Sequence, residues 1–132
     1  MYLLDTNICI YIIAKRSTAL IDKFKAVKLE GKIGISSITY AELQYGISKS
    51  IKKTENQIAL AQFLIPLNTY DFTEKAGIIF GEIRALLETK GKTIGSYDML
   101  IAAHAMSLNA TLITNNESEF RRIEGLKVEN WL

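Results

Sequence analysis

Cysteine, proline and histidine are nearly absent from this chain: Cys9, Pro66 and His104 are the single representatives of each among 132 residues. A lone cysteine cannot close an intramolecular disulfide, and one Cys with one His cannot assemble a zinc centre. A reducing cytoplasm is therefore the expected compartment. No run of the ~18 apolar residues that a membrane helix requires is present, and Met1-Tyr2-Leu3-Leu4-Asp5 lacks the basic-then-apolar layout of a signal peptide. No membrane span or leader is expected. Repeats, low-complexity tracts and Pro/Gly/Ser-rich linkers are also missing, so residues 1–132 are read as one domain. The charge is nearly balanced, with 16 Lys+Arg against 14 Asp+Glu, so total charge does not itself signal a nucleic-acid partner. What is present is an ample core: 48% of residues are hydrophobic and 23% charged, a composition that excludes disorder.

Apolar patterning alternates between short runs and helical spacings. Tyr2-Leu3-Leu4 reads as a strand meeting a polar turn, Asp5-Thr6-Asn7, before the apolar stretch Ile8 to Ala14 resumes as a helix. Leu20, Ile21, Phe24 and Val27 mark a second helix, and Ile33-Gly34-Ile35 a second strand. Helical spacing continues from Ser37 through Ile38, Ala41 and Tyr45, then again through Ile51, Ile58, Ala61 and Leu64 until Pro66. Ile65 to Leu67 is read as a third short strand. A long amphipathic helix follows through Phe72, Ala76, Ile79, Phe80, Ile83 and Leu87, closed by Lys90-Gly91. The helix begun by Gly95-Ser96 is apolar nearly all round, as a helix packed on both sides should be; Thr111 to Thr114 is a strand, and Leu126 to Leu132 supplies the last one. Strands separated by helices need crossover connections, which predicts a three-layer α/β/α sandwich with a mostly parallel central sheet.

In open parallel sheets ligands gather beyond the carboxyl ends of the strands, so acids just after strand runs carry the chemistry. Asp5 follows the first strand, Glu42 lies one turn into the helix after the second, Asp98 opens the apolar helix, and Asn116 and Glu119 follow the fourth. Three or four acids converging there would repel one another without a cation. Mg²⁺ and Mn²⁺ take carboxylate oxygens and water, polarise phosphoryl oxygens and acidify bound water, so phosphodiester hydrolysis is the matching reaction class. Each acid also has a local alternative. Thr39 to Glu42 fits a capping box, as do Asn116 and Glu119; Asp5 suits an N-cap; Asp98 suits the positive end of a helix dipole. On the almost wholly apolar helix after Gly95, however, a carboxylate needs a partner or a metal. His104 is read as a hydrogen-bonded core residue and Cys9 as packing, while Tyr11, Tyr40 and Tyr45 are read as core or dimer contacts rather than base-stacking platforms. The basic clusters Lys15-Arg16, Lys49/Lys52/Lys53 and Arg121-Arg122 are read as solvated faces that would contact phosphates if they ringed the acids.

Three ordered motifs then resemble a known family: Leu3-Leu4-Asp5-Thr6-Asn7, Ser36-Ser37-Ile38-Thr39-Tyr40-Ala41-Glu42-Leu43, and Gly95 through Ala105 with Asp98 and His104 inside it. With Leu112-Ile113-Thr114-Asn115-Asn116 and Glu119-Phe120 after them, the chain resembles, end to end, the PIN-domain ribonuclease toxins of VapBC-type toxin–antitoxin systems. The resemblance implies that Asp5, Glu42 and Asp98 form an acidic centre for Mg²⁺ or Mn²⁺, with Asp5 and Asp98 as direct ligands and Thr6 and Ser96 behind them. Many such domains carry Asp where this chain has Asn116; Glu119 is the candidate substitute. The implied activity is endoribonuclease cleavage that inhibits translation, with initiator tRNA cut in its anticodon stem-loop. The implied partners are a second copy of the chain and a cognate antitoxin, through which alone DNA would be bound. Competing readings fit less well. A dehalogenase-type phosphatase wants Asp where Asn7 stands, a receiver-type signalling module wants adjacent acids where Leu4 and Thr6 flank Asp5, and a dinucleotide-binding domain wants a Gly-rich turn there.

Overall fold

Leu3 and Leu4, neighbours in the first strand, are both fully buried yet belong to different cores. Adjacent strand residues point to opposite faces, so this pair requires a sheet covered on both sides. The computed structural model, which describes residues 1–132, has that architecture. Its elements run β1 (Tyr2–Leu4), α1 (Thr6–Ile13), α2 (Thr18–Lys28), β2 (Ile33–Ser36), α3 (Ser37–Ser48), α4 (Lys53–Leu64), β3 (Asn68–Tyr70), α5 (Glu74–Thr89), α6 (Ser96–Ser107), β4 (Thr111–Ile113), α7 (Glu117–Phe120) and β5 (Lys127–Glu129). The five strands lie in the order β3-β2-β1-β4-β5, every neighbouring pair parallel. The expected three-layer α/β/α sandwich is therefore realised with a wholly parallel sheet.

Leu4, Ile33, Ile35 and Ile113 face one layer, where Ile8, Leu20, Phe24, Leu43 and Phe63 of α1 to α4 pack on them. Leu3 and Leu112 face the other, against Ile83 and Leu87 of α5 and the Met99 to Ala105 stretch of α6. The near-continuous apolarity of α6 has its cause here, because α6 lies between the sheet and α5. No helix is long and apolar enough to cross a membrane.

The third strand is not where its hydrophobicity suggested. Ile65 caps α4 with helical backbone angles and is 81% exposed, and the strand forms instead from Asn68-Thr69-Tyr70, paired with Gly34 to Ser36. Pro66 has no amide to give to a ladder, so pairing begins beyond it. Gly34 permits that pairing. A Cβ there would stand 2.8 Å from the Asn68 carbonyl oxygen and would run into the Tyr70 ring. The fold also adds α7, a single helical turn after β4.

The chain leaves β1 towards β2 on one side and returns to β4 on the other, so the direction of winding reverses between β1 and β4. The carboxyl ends of these two strands flank the crevice in which α/β sheets of this kind place their ligands.

Candidate active site

Asp5 stands at that reversal. Its amide donates to the Ile113 carbonyl of β4 at 3.0 Å, and its Oδ1 accepts from the Ile8 amide at 2.8 Å, so the residue caps α1 while remaining at the crevice. The capping role and the place at the sheet edge coexist in one side chain. Burial pushes the Asp5 carboxyl above the ordinary aspartate value; the Thr114 hydroxyl and the Ile8 amide pull it down, and Glu42 adds repulsion. Thr114 is fully buried at the end of β4, where its hydroxyl also accepts from the Asn116 amide at 2.9 Å. The sequence reading passed over Thr114 as a strand residue; its signal was a hydroxyl next to a polar turn.

Glu42 does not complete a capping box. The N-cap of α3 is Ser36, whose Oγ accepts from the Ile38 amide at 3.0 Å, and Thr39 is buried inside the helix. Glu42 Oε1 instead accepts from the Thr6 hydroxyl of α1 at 2.7 Å, with Thr39 Oγ1 3.3 Å from the same hydroxyl. The second supposed box also fails: Asn116 makes no side-chain cap bond, and its Nδ2 donates to Glu119 Oε2 at 2.9 Å. Ser96 is exposed at the first position of α6 and takes no part in the bonds joining Thr6, Thr39 and Glu42.

Asp98, in the first turn of α6, reads the whole cluster. Its carboxyl is raised to about 6, first by burial and then by the negative charges of Asp5, Glu42 and Glu119. One field therefore contains all four acids singled out in the sequence. None of the four is ion-paired, since the salt bridges of the molecule join Arg84 to Glu88 and Arg121 to Glu117. This donor set fits a hard divalent cation: it offers only oxygen, it is self-repelling, and it has no cationic side chain to neutralise it. No three of these side chains stand close enough together to hold an ion unaided.

His104 lies away from the acids, fully buried on α6, with Nδ1 2.6 Å from Ser36 Oγ and its ring edge-on to Phe72. Cys9 is fully buried in the core layer. Both are as the sequence suggested. Of the two places expected for Tyr45, core or dimer contact, its 66% exposure excludes the core, and Tyr97, with which it lines a shared cleft, is 62% exposed.

The PIN-domain profile matches residues 2–126. The chain belongs to the PIN-domain family. Among PIN proteins it is similar to ribonuclease VapC2 of Rickettsia felis, 50% identical over 99% of this chain and 98% of that one. It is also similar to the tRNA(fMet)-specific endonuclease VapC of Shigella flexneri, 37% identical over 98% of this chain and 97% of that one. Among solved PIN structures, the VapBC2 complex of Rickettsia felis bound to a promoter DNA fragment superposes with a TM-score of 0.94 at 49% identity, covering 99% of this chain and 98% of that one. The sheet of this PIN domain reverses between β1 and β4, with Asp5 and Thr114 on the two sides of the reversal.

Proposed function

We propose that this chain is the toxin of a VapBC-type pair, a Mg²⁺- or Mn²⁺-dependent endoribonuclease that cuts initiator tRNA in its anticodon stem-loop and so blocks translation. The observation that carries the reading is the elevated Asp98 carboxyl: burial and three other carboxylates together hold it at about 6, the signature of a cluster arranged for a cation. The likeness to the Shigella flexneri endonuclease supports the choice of tRNA.

A divalent ion bound among these carboxylates would polarise the scissile phosphoryl oxygen and acidify a water for in-line attack. In this reading Asp5 and Asp98 hold the ion, Glu42 and Glu119 complete the acidic field, and Asn116 orients Glu119 through its amide. Thr6 fixes Glu42 by donating its hydroxyl proton to Oε1. Thr114 fixes Asp5 from β4, and Ile8 from α1. Ser96, at the start of α6, is assigned a supporting place beside Asp98.

The antitoxin belongs to the same reading, supported by the likeness to a VapBC complex on promoter DNA. An apolar groove between α1, α3 and α4, lined by Ile10, Ile13, Leu43, Ile47 and Leu60, runs up to Glu42. It fits an amphipathic antitoxin segment that ends in a basic side chain directed at the acids, and DNA is reached through the antitoxin alone. A homodimer working in the cytoplasm completes the proposal.

The test is incubation of purified protein with total tRNA in Mg²⁺, in Mn²⁺ and in EDTA, with new RNA ends mapped by primer extension. One metal-dependent cut in the initiator anticodon stem-loop is expected, absent from Asp5→Ala and Asp98→Ala. Cuts confined to other RNAs would overturn the target, and undiminished cleavage in EDTA would overturn the metal.

A further inference from the structure

Next to the acids, between the outer face of α3 and the start of α6, lies a second cleft of about 440 Å³, lined by Ile38, Ala41, Glu42, Tyr45 and Tyr97. Its volume falls in the range of small-molecule sites, roughly 300–1,000 Å³. We propose that this cleft receives an unpaired base of the RNA beside the scissile phosphate, stacked on Tyr45 and Tyr97, which makes these two tyrosines specificity determinants. The inference rests on the ribonuclease reading above and adds to it the part of the substrate that this surface takes.

Three observations carry it. The cleft is continuous with the acidic centre, because Glu42 lines the cleft and also belongs to the field around Asp98, while Tyr97 directly precedes Asp98 in the chain. Both tyrosines are largely exposed, at 66% and 62%, on helical segments whose neighbouring residues Leu43 and Met99 are buried; a large aromatic left in water at a cleft edge is a surface awaiting a flat partner. The floor is apolar: Ile38, Ala41 and Tyr45 follow one another at one-turn spacing on the same side of α3. The Lys49 ammonium lies over the Tyr45 ring, 4.7 Å from its centre, so it covers one face of the ring, leaves the other for a base, and puts a positive charge beside the stacked nucleotide. Aromatic platform, cation and apolar floor together form the surface on which single-stranded nucleic acid is held, whereas a paired base, already stacked in its helix, could not enter.

The experiment uses the full chain. Binding is measured in the Asp5→Asn background, which removes cleavage, by fluorescence anisotropy with two labelled RNAs: the initiator tRNA anticodon stem-loop and a blunt duplex of equal length with no unpaired base. Tyr45→Leu and Tyr97→Leu are expected to weaken stem-loop binding on the order of 10- to 100-fold while duplex binding stays constant, and Tyr→Phe at either position is expected to restore it. With Asp5 intact, the Leu variants should raise KM and leave kcat within about twofold. Thermal melts of these exposed-site variants report their folding. Leu variants that bind the stem-loop as tightly as the parent would overturn the proposal, as would Phe variants as weak as the Leu ones. Leu variants of unchanged RNA affinity that convert a sedimenting dimer into a monomer would also overturn it and assign the face to self-association. Retained tRNA cleavage with unaltered KM removes the cleft alone. A parent chain that neither binds nor cuts any RNA removes the ribonuclease reading and the cleft together.

Discussion

Ser36 Oγ lies 2.6 Å from His104 Nδ1, which joins the last residue of β2 to the middle of α6 inside the core. Ser36 Oγ also accepts from the Ile38 amide at 3.0 Å, so one hydroxyl ties together the imidazole and the first turn of α3. The contact holds the helix that carries Asp98 against the strand that leads to Glu42. Removing the hydroxyl by Ser36→Ala deprives both the imidazole and the first turn of α3, and a loss of about 1–3 kcal/mol in urea unfolding is expected. A change below ~0.5 kcal/mol would show that the pair contributes nothing.

Acid should weaken the fold through the same imidazole. Burial lowers the His104 pKa below its usual 6.5, against the opposing pull of the Asp71 backbone and charge. The unfolded chain then binds more protons than the folded one just below pH 6.5, so this contribution is complete above that value and is lost as pH falls. His104→Gln should flatten this limb of the stability–pH curve, and an unchanged slope would contradict the assignment.

Asp98 has the opposite sign. Its carboxyl is raised to about 6 from 3.8, so between these values the folded state binds the extra proton and the fold weakens as pH rises. Asp98→Asn is expected to be more stable than the parent at pH 7 by roughly 1–2 kcal/mol, after solvent screening of a half-buried carboxylate is allowed for, with the advantage shrinking toward pH 4. Its RNA cleavage should disappear at the same time. Lower stability at pH 7 would show that neither burial nor repulsion from the other acids disfavours the ionised carboxyl.

Mg²⁺ or Mn²⁺ should relieve that repulsion and raise the thermal midpoint of the parent. An ion present at about 100 times its Kd would add ~2.7 kcal/mol. The increment should be absent from Asp98→Asn, and calorimetry of the two proteins side by side decides the matter.

How much of this could be seen in the sequence follows from how local each signal is. The sheet edge was legible because Asp5 breaks an apolar run and Asp98 interrupts an otherwise apolar helix; both depend on neighbours in the chain. Glu42 was ambiguous because Thr39-Tyr40-Ala41-Glu42 looks like a capping box from within, while the helix starts earlier, at Ser36, and the real partner, Thr6, is 36 positions away. The third strand was misplaced because it is polar and at the sheet edge, so pairing with β2 rather than burial defines it. Tyr45 could be placed only as a core or dimer contact because helical spacing shows which residues share a face without showing what lies over that face.

Thr6→Val keeps the size of the side chain and removes its proton from Glu42. Cleavage should fall about 10-fold in kcat, with the fold's melting midpoint little changed, as befits a residue that orients an acid without itself meeting the RNA. Full activity would show that Glu42 holds its place unaided.

Gly34→Ala should be costly for a different reason, since its new carbon would stand 2.8 Å from the Asn68 carbonyl oxygen and press into the Tyr70 ring. A loss of roughly 1–3 kcal/mol, centred on the β2–β3 edge in hydrogen exchange, is expected. An unaltered exchange pattern at that edge would show that Tyr70 swings aside.

The reversal of winding between β1 and β4 has a consequence in time. Asp5 and its neighbours Ile113 and Thr114 lie far apart in the chain, and Asp98 cannot be set in place until α6 has a fourth strand to follow it. Contacts so distant in sequence form late, because the intervening chain must be closed into a loop first. A growing polypeptide thus carries its acids apart, and the acidic centre is assembled only after β4 has been made.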